Sequence, residues 1–256
     1  MIVPPTMPSP PAPRPIVIAR TGGTFPALRE RLGDFEDWVQ AGLACTAAPV
    51  LTIDAAQDEG MPEPASIAGV VVTGSHAMVT DRAPWSEALG GWLARAVAAQ
   101  TPVLGICYGH QLLAHALGGD VADHPGGWEV GTVEVAMAPD ATSSDALFAE
   151  LPAAFHAQVV HRQSVRRLPA GAVRLAGNAF EPHQAFRVGH CAWGVQFHPE
   201  FGPDAMRSYI DTLAADLRRA GRAPDTLREH VRATPEAAAL LRRFAWFCLS
   251  NHRRTA

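Results

Sequence analysis

Between Pro102 and Gln111 the chain runs from an apolar stretch, Pro102-Val103-Leu104, through Gly105-Ile106-Cys107-Tyr108-Gly109-His110-Gln111 into a helical pattern. One cysteine set between two glycines at such a handover predicts a tight strand-to-helix turn, a nucleophile elbow. There strand and helix approach so closely that the flanking positions tolerate almost no side chain, while the residue at the apex projects from the sheet edge. Cys107 then stands at the start of a helix, where unpaired backbone N–H groups and the macrodipole favour an anion. A thiolate is the reactive form of cysteine, and sites of this kind lower a thiol pKa from about 8.5 toward roughly 3.5–7.5.

The flanking pattern says what such a turn is embedded in. Ile16-Val17-Ile18-Ala19, Val50-Leu51-Thr52-Ile53, 69–73 and 102–106 read as short, nearly all-apolar strands. Helical stretches separate them: 26–43, with a break and new start at Gly33-Asp34; 84–100, with Trp85, Leu89, Trp92, Leu93 and Val97 at helical spacing; and 109–117. Alternating elements with wholly apolar strands predict an α/β fold, an open and mostly parallel central sheet flanked by helices. After Gly119 the pattern changes. Residues 129–135 alternate, and strand candidates recur near 155–160, 172–176, 184–188 and 191–197, predicting an added smaller antiparallel sheet. Helices are expected near 203–219, 224–232 and 235–250, with Leu213, Leu217, Leu240, Leu241, Phe244 and Phe247 on their apolar faces.

A thiol acts as a nucleophile only with a base and a group to orient that base. Gly194-Val195-Gln196-Phe197-His198-Pro199-Glu200 leaves an apolar strand carrying a histidine and a glutamate around a proline that stiffens the backbone. His198 is the candidate base and Glu200 the candidate orienter. Ligands in a parallel sheet of this type lie beyond the carboxyl ends of the strands, where the elbow also falls.

Together the two motifs resemble those of class I glutamine amidotransferases of the triad type, whose elbow reads G-x-C-x-G-x-Q and whose second signature ends in H-P-E. The resemblance implies a flavodoxin-like fold and hydrolysis of the γ-glutamyl amide of glutamine through a thioester on Cys107, with His198 and Glu200 completing a catalytic triad. It extends over nearly the whole chain. Val71-Val72-Thr73-Gly74-Ser75-His76 is similar to the family's strand and glycine loop facing the elbow, so that Gly74, with Ser75 beside it, and Tyr108 would supply the oxyanion-hole N–H groups. Gln111, one helical turn past Cys107, would help bind substrate. His161-Arg162-Gln163-Ser164-Val165 resembles the segment whose backbone grips the α-amino and α-carboxylate groups, which marks His161, Gln163 and Ser164 as substrate-binding candidates. Gln163 stands where the family has an acidic residue. Arg20-Thr21-Gly22-Gly23-Thr24 and Gly33-Asp34-Phe35-Glu36-Asp37-Trp38 look like stand-alone members related to the glutaminase domain of GMP synthase.

Bulk properties narrow the partners. A formal charge of −4 with no basic stripe argues against nucleic acid, and no run approaches the roughly 18–20 apolar residues of a membrane helix. The four widely spaced cysteines are too few for a stapled secreted scaffold, which favours a cytoplasmic location, and Cys45, Cys191 and Cys248 read as small core residues. Residues 1–15 read as a proline-rich disordered arm without the features of a secretory signal, and 16–256 as one domain. No metal site is expected: His110 and His115 are five apart rather than four, and neither H-E-x-x-H nor C-x-x-C occurs. Gly22-Gly23 matches neither phosphate-loop pattern, so no cofactor is expected.

Three functions stay open on sequence alone. The first is a glutaminase releasing ammonia for a separate synthetase subunit, since no S-G-G-x-D-S pyrophosphatase motif is present. The second is a γ-glutamyl peptidase acting on glutathione-like γ-glutamyl compounds. The third is a non-catalytic regulatory module on the same fold.

Overall fold

The computed structural model of the protein describes residues 13–57, 59–139 and 145–255. All but the last three positions of the expected proline-rich arm lie outside them.

The apolar runs form strands as their composition requires: β1 (Ile16–Arg20), β2 (Val50–Asp54), β3 (Gly69–Val72) and β4 (Val103–Ile106). Between them come α1 (Pro26–Leu32), α2 (Phe35–Leu43) and α3 (Pro84–Ala98), and α4 (Tyr108–Ala116) follows β4 directly. The break between α1 and α2 has a local cause. Gly33 takes a left-handed φ of 85°, and Asp34 opens α2 with a capping box, its carboxylate accepting from Phe35 N–H at 2.9 Å while Asp37 accepts from Asp34 N–H at 2.8 Å.

The second half supplies β5 (Asp120–Asp123), β6 (Glu129–Met137), β7 (Ala154–His161), β8 (Gln163–Arg167), β9 (Val173–Gly177), β10 (Ala185–Val188) and β11 (Ala192–Val195). Four helices end the chain: α5 (Pro203–Thr212), α6 (Ala214–Arg219), α7 (Pro224–Glu229) and α8 (Pro235–Thr255). The expected helix over 203–219 is thus two, divided at Leu213, whose ψ of 4° departs from the helical value.

Nine strands form one sheet in the order β2-β1-β3-β4-β11-β10-β9-β6-β7. The first five run parallel and the remaining pairings are antiparallel. Most antiparallel strands therefore continue the central sheet, and the separate small antiparallel sheet consists of β5 and β8. Counted among themselves, the parallel strands have the flavodoxin-like order 2-1-3-4-5, whose switch point lies between β1 and β3.

Strand alternation sorts the core onto two faces. Ile16 and Ile18 of β1 pack with Val39, Leu43, Leu240, Leu241 and Phe244 of α2 and α8. Val17 and Ala19 pack with Leu89, Leu93, Leu112 and Leu113 of α3 and α4. A third apolar cluster, with Phe35, Phe201, Tyr209, Ile210 and Leu217, seats α5 and α6 beside the start of α2. Cys191 and Cys248 are buried and Cys45 is half-buried against the core, all three as free thiols. Among the described residues no helix is long and apolar enough to cross a membrane.

Candidate active site

Two loops meet at the switch point. The segment after β1 and the segment after β3 are sewn together by buried hydroxyls: Thr21 N–H donates to Thr73 Oγ1 at 3.1 Å, and the Thr21 hydroxyl donates to the Gly74 carbonyl at 3.0 Å. The Ser75 hydroxyl in turn donates to the Thr21 carbonyl at 2.8 Å. These bonds fix Gly74 opposite the end of β4. A Cβ on Gly74 would come within 2.9 Å of His198 Cε1 and 3.9 Å of Cys107 Cβ, so loop, imidazole and elbow converge on one point.

Cys107 is the elbow itself. Its φ of 49° and ψ of −96° lie where a side-chain-bearing residue is strained, and its N–H is held by the Val195 carbonyl at 2.8 Å. Tyr108 and the next residues open α4 with N–H groups that have no helical partner. The Cys107 thiol makes a long contact of 3.9 Å to the Val160 carbonyl and borders a cavity of about 290 Å³.

His198 follows β11 and enters from the opposite side of the elbow. Its Nδ1–H donates to Glu200 Oε1 at 2.7 Å, and both side chains are buried. Burial alone would push the imidazole pKa down, but the Glu200 carboxylate and the Cys107 sulfur outweigh it and hold the pKa up, at about 10. The ring leans on Phe201, 4.2 Å between centroids, and stacks at 6.3 Å on Phe35.

The expected binding residues divide. Gln111 lines the cavity, and its amide donates to the Gln163 carbonyl and to Gln196 Oε1, both at 2.9 Å. His161 and Gln163 also line it. The His161 ring is braced between Glu129, at 2.8 Å, and the Gln163 carbonyl, at 2.9 Å. The Gln163 amide donates to Thr80 and Asp123 at 2.7 and 2.9 Å. Ser75 and Tyr108 reach the cavity as well. Ser164 does not border it; it is buried, with its hydroxyl donated to Glu181.

Several lining residues carry no motif. Phe25, Phe35, Trp128 and Tyr209 form much of the wall, with His76 among them. Tyr209 comes from α5, and its hydroxyl meets Thr24 Oγ1 at 2.9 Å and His76 Nε2 at 3.0 Å. No local signal marks these positions, because the wall exists only once α1, α2 and α5 are packed together. Among the described residues no cluster of three or more His, Cys, Asp or Glu is arranged to hold a metal.

Residues 39–214 match the family model described as glutamine amidotransferase class-I. The chain is 37% identical over 142 residues to a glutamine-hydrolyzing GMP synthase of Thermomicrobium roseum, an alignment covering 56% of this chain and 25% of that protein. It is 32% identical over 181 residues to the GMP synthase of Aeropyrum pernix, covering 69% of this chain and 33% of the relative. The chain thus spans about a fifth to a third of the length of the curated relatives it matches. Among solved structures, a glutamine amidotransferase of Thermotoga maritima superposes with a TM-score of 0.71 at 22% identity over 93% of this chain and 98% of the other. A glutamine amidotransferase of Methylobacillus flagellatus gives 0.68 at 24% identity, over 94% of each chain. At these identities the structural likeness is one of fold.

Proposed function

The chain belongs to the class I glutamine amidotransferases, and on that premise we propose that it hydrolyses a γ-glutamyl amide through a thioester on Cys107. The observation that carries this reading is the strained Cys107 lining a cavity it shares with a His198 already tied to Glu200.

In the proposed reaction the Cys107 sulfur attacks the γ-carbonyl carbon. His198 takes the thiol proton, and Glu200 holds the ring through Nδ1 so that Nε2 is the working edge. The N–H groups of Gly74 and Tyr108 receive the negative charge that develops on the carbonyl oxygen, a type of contact worth ~2.7–4 kcal/mol per donor. Collapse of the intermediate breaks the C–N bond as His198 gives its proton to the departing nitrogen. Water then attacks the thioester with His198 as base, releasing glutamate and the thiol. Gln111, His161 and Gln163 border the end of the cavity suited to the α-amino and α-carboxylate groups.

With glutamine the released amine is ammonia, and the relatives named as GMP synthases suggest a separate synthetase domain as its acceptor. No step of the reaction requires a cofactor. Cys107→Ala tests the reading directly: loss of glutamate release, together with loss of labelling by a cysteine-directed glutamine analogue, is expected. Full activity in that variant would remove Cys107 from the mechanism.

A further inference from the structure

The cavity has two unlike ends. One is polar: Gln111, His161 and Gln163, joined through the Gln163 carbonyl, with Arg162 also on the lining. The other is aromatic. Phe25 packs 4.5 Å from the His76 ring and 4.9 Å from the Tyr209 ring, and the Tyr209 hydroxyl is 3.0 Å from His76 Nε2.

The aromatic end lies on the His198 side. Phe35 is 6.3 Å from the His198 ring and 6.2 Å from His76, and Phe201 bridges His198 and Tyr209 at 4.2 and 5.0 Å. Whatever the scissile nitrogen carries must extend toward this end, because His198 is the group that protonates that nitrogen as it leaves. Glutamine places only two hydrogens there. Departing ammonia gains nothing from a ring-lined wall, whereas a flat apolar group gains both burial and ring-to-ring contact.

The electrostatics select further. Packing against Phe25 and Tyr209, with the charge of His198 added, pulls the His76 pKa down although the residue is exposed to solvent on its other side. Asp216, the acidic residue at the cavity rim, is already paired with Arg219. A cationic substituent would therefore face a protonated His198 with no free carboxylate to offset it.

Resting on the proposed thioester chemistry, we propose that the preferred substrate is a γ-glutamyl amide of an uncharged, ring-bearing amine, its ring held by Phe25, His76 and Tyr209. The first step forms the C–S bond and breaks C–N, and the proton on His198 leaves with the amine. In the second step water forms the C–O bond as C–S breaks, and its proton returns through His198 to sulfur. The sum is amide plus water giving glutamate plus amine.

The test compares kcat/KM of the full chain on glutamine, γ-glutamyl methylamide, γ-glutamyl benzylamide and the γ-glutamyl amide of 1,4-diaminobutane. The first three distinguish nothing, a small alkyl group and a ring; the last carries a positive charge. Benzylamide is expected to exceed both methylamide and glutamine by at least about tenfold, a margin equal to ~1.4 kcal/mol. Phe25→Ala and, separately, His76→Ala should each reduce the benzylamide-to-methylamide ratio several-fold, and Phe25→Tyr should restore it. Equal rates for ring and methyl, a faster charged amide, or a ratio unmoved in both alanine variants would overturn the assignment. If glutamine is hydrolysed and a glutamine analogue labels Cys107 while the ring gives no advantage, the subsite fails and the thioester reading stands. If no amide is hydrolysed and Cys107 is not labelled, both fail.

Discussion

Gly105 and Gly109 touch across the elbow: a Cβ on Gly105 would lie 2.3 Å from the Gly109 carbonyl oxygen and 2.5 Å from its carbonyl carbon. Both neighbours are backbone, so the clash cannot be relieved by turning a side chain. Gly105→Ala is therefore expected to push α4 away from β4 and to destabilise the protein by ~1–3 kcal/mol or more. A lowered denaturant midpoint with unchanged slope checks this. A variant as stable as the parent would mean that the helix is not held against the strand.

Cys107 itself is held at a backbone geometry that costs of order 1–3 kcal/mol for a residue with a side chain. Glycine carries no such penalty, although it gives up roughly 0.5–1 kcal/mol of that advantage to its freer unfolded chain. Cys107→Gly should thus be more stable than Cys107→Ala, by about 1 kcal/mol, while both lack the thiol. Paired thermal melts of the two variants measure the difference, and a glycine variant that melts lower would show that the apex is unstrained.

Much of this site was legible because its parts announce themselves locally. Gly105, Cys107 and Gly109 carry the elbow within five positions, and His198-Pro199-Glu200 carries base and orienter within three. The break at Gly33-Asp34 was equally plain, since a left-handed glycine followed by a capping aspartate is a short-range device. Elements defined by distant partners were not legible. Asp120–Asp123 is a four-residue strand with polar ends, and Gln163–Arg167 lacks alternation; each is a strand because it pairs with the other. The aromatic wall is hidden for the same reason. Phe25 and Tyr209 are 184 positions apart, and nothing near either residue signals that their rings will meet.

The bond between His198 Nδ1 and Glu200 makes the carboxylate the main group holding the imidazole pKa up against the effect of burial. Glu200→Gln removes that charge, so the His198 pKa must fall. The alkaline limb of kcat/KM against pH, expected near 10 in the parent, should move down by at least about one unit, with the rate itself lower by ~10²–10⁴ if His198 is the general acid and base. The linked stability has a definite sign. A histidine whose folded pKa is raised contributes stability that is full below the unfolded value of about 6.5 and is lost as pH climbs through the folded one. The stability gap between parent and variant should accordingly be wide at neutral pH and close above pH 10. A gap independent of pH would detach Glu200 from the protonation of His198.

His110, in the first turn of α4, behaves in the opposite sense. It is wholly buried against Phe186, 4.8 Å between centroids, and its Nδ1 sits against the Gly194 backbone. Burial pulls its pKa down to about 3, so the folded protein keeps the ring neutral where the unfolded chain would protonate it. Between about 6.5 and 3 the unfolded state therefore binds more protons, and stability must fall with falling pH through that window. His110→Leu deletes this titration and replaces the ring with an apolar side chain. The variant should lose less stability than the parent between pH 6 and pH 4. Denaturant melts of both proteins across that range decide it; parallel losses would show that His110 is not what makes the fold sensitive to acid.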